Sequence, residues 1–76
     1  MNPTGVITDA IMASVTARVN TLKVIAELKG LKEYSLAVDE LENAIESLYE
    51  AEAALGEAHQ FAVVAMATEV AQSGML

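Results

Sequence analysis

Cysteine is absent from the 76-residue sequence, and histidine occurs once. Disulfides and thiolate metal sites are therefore excluded, and one imidazole does not make a self-contained metal site. Proline occurs once, at position 3, which leaves the rest of the chain free to be helical. Aromatic residues are only 4% of the chain (Tyr34, Tyr49 and Phe61), with no tryptophan. The four glycines, at positions 5, 30, 56 and 74, are too dispersed to form a phosphate-cradling loop. No serine is placed with a histidine and an acid as a nucleophile would require, and the lone His59 cannot fill several roles. The chain is not read as an enzyme, and no cofactor is expected.

Positive charge is missing from the second half. Residues 1–32 hold Arg18, Lys23, Lys29 and Lys32 against Asp9 and Glu27, whereas residues 33–76 hold nine acids and no Lys or Arg, for a net charge of −7 overall. Such a chain repels nucleic-acid backbones. It also lacks the basic amphipathic face that anchors a helix on anionic lipid. No apolar run approaches the ~20 residues needed to span a bilayer, and "MNPTGVITDA" has no basic secretory n-region. The expected location is cytoplasmic.

What is abundant is small aliphatic surface. Hydrophobic residues make up 54% of the sequence, chiefly Ala, Val, Ile, Leu and Met. A chain this short buries only ~60% of its unfolded surface, so a lone monomer is marginal. Without disulfide or metal, association is the remaining source of stability.

The spacing predicts an all-α antiparallel hairpin as one unit. A first helix is expected at about residues 5–29, with Thr4 or Thr8 as N-cap, Asp9 near its first turn, and apolar positions at Ile7, Ile11, Val15, Leu22 and Ile25. Gly30 fits a left-handed C-cap with Lys29 in the last turn. A loop at about 30–35 implies antiparallel neighbours, and Ser35 is the candidate N-cap of a second helix at about 36–72. Gly30 is a stop signal only, so one bent helix stays open as an alternative. At ~1.5 Å per residue the arms come to ~37 Å and ~55 Å. Something over a third of the second helix is thus expected to overhang, including "FAVVAMA" (Phe61–Ala67), which has no polar side chain on any face.

On the second helix, Val38, Leu41, Ile45, Leu48, Leu55, Ala62 and Met66 follow alternating steps of three and four, with Glu52 and His59 as polar breaks. Ala51, Ala54, Ala58, Ala62 and Ala65 make a neighbouring stripe suited to close helix approach. The preferred reading rotates the seam onto that stripe and leaves Glu52 and His59 in water. The alternative is a cross-chain His–Glu contact or a pH-sensing histidine. Glu42, Glu46 and Glu50 stand four apart and repel mildly. They are read as a solvated face, as partners for the cations at 18, 23, 29 and 32, or as an acid switch.

The expected function is a non-enzymatic, self-assembling structural subunit forming a homo-oligomer, filament or ribbon. Its interface would be built on Leu48, Leu55, Ala58, Phe61, Ala62, Val64, Ala65 and Met66. Glu42, Glu46, Glu50, Glu52 and His59 would be its pH-responsive groups. The alternative is a small dimeric module, like a phage-type antagonist or a secretion-type chaperone, that binds a foreign protein helix. Finally, "VITDAIMASV" (Val6–Val15) resembles the opening of the R-body (Reb, "killing trait") proteins, and "LYEAEAALGEAHQFAVVA" (Leu48–Ala65) is similar to their Ala-, Leu- and Val-rich pattern. The resemblance implies small cytoplasmic subunits that polymerise into coiled ribbons, which extend as pH falls and can rupture membranes.

Overall fold

A computed structural model describes residues 2–74. The chain forms two helices, α1 (Pro3–Leu28) and α2 (Ser35–Gly74), joined through a short 3-10 turn (Lys32–Tyr34) and packed against each other as an antiparallel hairpin. Among the described residues there is no strand. The Cα envelope measures 67 × 15 × 13 Å, a rod two helices across.

α1 begins two residues earlier than the spacing indicates. Asn2 is its N-cap: the side-chain Oδ1 accepts from the Gly5 amide at 3.2 Å and from the Thr4 hydroxyl at 2.8 Å. Pro3 follows at the start of the helix, where a missing N–H costs nothing. Thr4 and Thr8 are therefore inside the helix, the Thr8 hydroxyl donating back to the Thr4 carbonyl at 2.8 Å, and Asp9 lies beyond the first turn.

The chain does turn at Gly30, which removes the single bent helix. Gly30 has φ +97°, and the Lys29 amide donates to the Ile25 carbonyl at 2.8 Å. Lys29 is the C-cap rather than part of the last turn. Ser35 has helical angles (φ −59°, ψ −40°) and its amide donates to the Lys32 carbonyl, so it continues the 3-10 turn into α2 instead of capping it. A Cβ at Gly30 would meet open space, leaving backbone strain as the only cost of a side chain there. Gly30→Ala is expected to lose about 1–2 kcal/mol of stability, lowering the unfolding midpoint by roughly 4–8 °C per kcal/mol in a thermal melt.

The overhang is shorter than the arm lengths imply. Asn2 and Pro3 lie beside Ala62, Ala65, Met66 and Glu69, so α1 reaches past most of Phe61–Ala67. The connection accounts for this. The Arg18–Glu52 pair sets the register, and ten residues on from Arg18 and ten back from Glu52 bring Leu28 level with Glu42, because Lys29–Tyr34 runs alongside the first turn of α2. The pairing is thereby shifted about one turn toward the far end of α2.

Candidate assembly surface

Each helix turns one seam to the other. On α1 the seam is Ile7, Ile11, Ser14, Arg18, Thr21, Ile25 and Leu28, all partly or fully buried, at steps of four and three. On α2 it is Val38, Leu41, Ile45, Leu48, Glu52, Leu55, His59 and Ala62. The α2 seam is the one the heptad spacing marks, and it faces α1 of the same chain. Glu52 and His59 do not rotate into water; both are half-buried on this seam. Leu48, Leu55 and Ala62 are likewise turned inward.

The middle of the seam is polar. The Arg18 Nε donates to Glu52 Oε2 at 2.8 Å and Nη2 donates to Oε1 at 3.3 Å, a two-pronged pair with side chains 22% and 18% exposed. The guanidinium also sits 4.8 Å from the centroid of the Tyr49 ring, one turn before Glu52 on α2. The hydrogen bond to Glu52 raises the Arg18 pKa, against a smaller opposing effect of burial; the charge of Glu52 and the nearby Tyr49 add to the rise. Among the described residues this is the single ion pair, so Arg18 is engaged by Glu52 and not by Glu42, Glu46 or Glu50, which remain exposed. Among the described residues no cluster of His, Cys, Asp or Glu could hold a metal ion. No helix among them is long and apolar enough to cross a membrane.

The seam leaves little interior. Among the described residues only Ile25 and Val38 are buried, at 8% and 7% exposure, both next to the turn. A compact protein of 8.0 kDa exposes roughly 4,500 Å², whereas the hairpin exposes 5764 Å². The surplus is roughly 1,300 Å².

Many of the exposed apolar side chains lie on two broad sides of the rod. One side joins Leu22 and Lys29 of α1 to Glu42 and Glu46 of α2. Steps of three and four from these residues continue it through Val19, Val15 and Met12 on α1, and through Tyr49, Gly56 and Val63 on α2. The other side joins Pro3 to Ala65. It carries Ala10, Ala13 and Ala17 between Val6 and Val24 on α1, and Ala44, Ala51, Ala54 and Ala58 with Phe61 on α2. Of the interface candidates on α2, Ala58, Phe61 and Ala65 thus lie on this alanine-rich side. Val64 lies on the outer edge, and Met66 beside the α1 N-terminus; all five are exposed.

Charge is distributed to match. Apart from Glu69 at the far end beside Pro3 and Ala65, charge on the broad sides is confined to the turn end, at Glu27 and Glu40 on the alanine side and at Lys29, Asp39, Glu42 and Glu46 on the other. Asp9, Lys23, Glu50 and Glu57 occupy the outer edges. The remaining length of both sides is uncharged. Residues the spacing did not single out are Arg18 and Tyr49; the signal available was a cation and an acid at the polar breaks of two facing seams. Comparison of the chain with protein-family models, curated proteins and solved structures finds no match.

Proposed function

We propose that the protein is a self-assembling structural subunit, a helical hairpin that completes its hydrophobic burial against other copies of itself. The observation that carries this reading is the surplus of roughly 1,300 Å² of surface on a hairpin with only two buried hydrophobic residues among those described. A monomer with so small an interior sits at the edge of stability. Association buries apolar surface at about 25 cal/mol per Å² and stabilises the folded state by mass action. The likeness of Val6–Val15 and Leu48–Ala65 to the ribbon-forming R-body proteins supports the same reading.

The test is the mass of the purified protein in solution as concentration rises, by sedimentation velocity and electron microscopy. A distribution that moves to large, elongated species with concentration is the expected result. A monomer throughout the micromolar range would overturn the proposal. A small oligomer of fixed size would also overturn it, in favour of a module that binds a foreign helix.

A further inference from the structure

We infer that the two broad sides of the hairpin are complementary to each other, so that copies stack side A on side B in one direction, with Phe61 of one copy seated in a notch over Gly56 of the next. This rests on self-assembly as the function and adds its geometry. The occupant of each side is a second copy of this chain.

The two sides differ in relief. One is low, built on Ala44, Ala51, Ala54, Ala58 and Ala65, with a single large side chain rising from it on α2, Phe61, which is 74% exposed. The other is high, built on Met12, Val15, Val19, Leu22, Tyr49 and Val63, and it dips on α2 at Ala53 and lowest at Gly56, one heptad from Tyr49 and one from Val63. Low on low would bury little area. High on high would clash or leave gaps. High on low interdigitates as knobs and holes do. Gly56 supplies an independent sign. It lies in the interior of α2, where glycine is a poor helix former, and its φ is not positive. A Cβ there would meet nothing within 4 Å. Nothing inside the hairpin therefore requires the missing side chain, whereas a bulky group arriving from another copy does.

Area and charge agree with this choice. The surplus of roughly 1,300 Å² is comparable with the ~1,600 Å² that a standard interface buries in total. Acids on the outer edges, Asp9, Glu50 and Glu57, oppose edge-to-edge contact and leave the uncharged middle stretch of the two sides for stacking. Because the joined surfaces are unlike, the contact does not close on itself, and repetition gives an open filament or ribbon rather than a dimer.

Two exposed substitutions test it. Ala54→Arg blocks the low side and Val19→Arg blocks the high side. Each variant alone is expected to be monomeric, with unchanged helical circular dichroism. An equimolar mixture is expected to give a discrete dimer and nothing larger, since one intact side of each kind remains. Gly56→Leu adds bulk without charge and removes the glycine; it is expected to melt higher yet behave like Val19→Arg. Dimers formed by either Arg variant alone would overturn stacking of unlike sides. So would long assemblies of either variant, or Gly56→Leu assembling at the wild-type concentration. A wild-type protein that stays monomeric would instead defeat self-assembly itself, before the variants are made.

Discussion

Phe61→Glu is expected to abolish assembly at every accessible concentration while the hairpin keeps its helical content. Phe61 is 74% exposed in the isolated hairpin, so its removal takes nothing from the α1–α2 seam. In an assembly it is the one large side chain that α2 raises from the alanine-rich side. Burying a phenylalanine contributes about 2 kcal/mol. Truncation to alanine should therefore raise the concentration for half-assembly roughly 30-fold, at ~1.4 kcal/mol per tenfold. Glutamate adds the larger cost of moving a carboxylate out of water, several kcal/mol more. Light scattering across a dilution series reads both effects. An unchanged assembly threshold for Phe61→Glu would show that this side of α2 is not an interface. Ala62→Glu is a weaker test, because Ala62 faces the start of α1 and its loss would damage the hairpin as well.

The hairpin and the α2 seam were legible in the sequence for a simple reason. Val38, Leu41, Ile45, Leu48, Leu55 and Ala62 repeat at the helical period, and Gly30 stands where a left-handed cap belongs. A period identifies which face is buried; it does not identify against what. Leu48, Leu55, Ala62 and Met66 of the α2 seam are expected at an interface with other chains because the arm lengths alone place α1 too far toward the turn. The shift came from the Lys29–Tyr34 connection, whose path no local rule supplies.

The α1 seam was harder to read because its centre is polar. Following apolar residues alone leads from Ile11 to Val15 and Leu22, one position aside from the Ser14, Arg18 and Thr21 that face α2. The Thr21 hydroxyl is satisfied by the Ala17 carbonyl at 2.7 Å, so it sits on the seam without a cross-helix partner. Asn2 takes the capping role that the spacing gives to Thr4 or Thr8, and the Asn-Pro pair is itself a helix-start signal. The two exposed sides were visible only in part. The alanine stripe of α2 is plain in the sequence, but the matching Ala10, Ala13 and Ala17 become its continuation only once the antiparallel pairing is known.

Arg18→Glu is expected to be the most damaging single substitution to the hairpin itself, costing most of the cooperative unfolding signal. It sets two carboxylates opposite each other at the centre of a seam whose only buried residues, Ile25 and Val38, are near the turn. Glu52→Arg does the same with two guanidiniums. The double exchange, Arg18→Glu with Glu52→Arg, restores the pair in reverse and should recover much of the loss. Recovery stays incomplete because Tyr49 would then lie on the same helix as the guanidinium rather than across from it. Melting curves of the four proteins form a double-mutant cycle, and strictly additive losses would show that the pair carries no coupling. Raising the pH is a poor substitute for this experiment. The Arg18 pKa is raised in the folded state, so the stability linked to its charge is complete below the ordinary arginine range and is lost only as pH climbs past it. A polar pair set inside an apolar seam commonly fixes register at some expense of stability. Replacing both Arg18 and Glu52 with leucine should therefore raise the melting temperature while letting α1 slide along α2. Such a slide would misalign the two broad sides, so the leucine pair should assemble less regularly than the wild type despite its more stable hairpin.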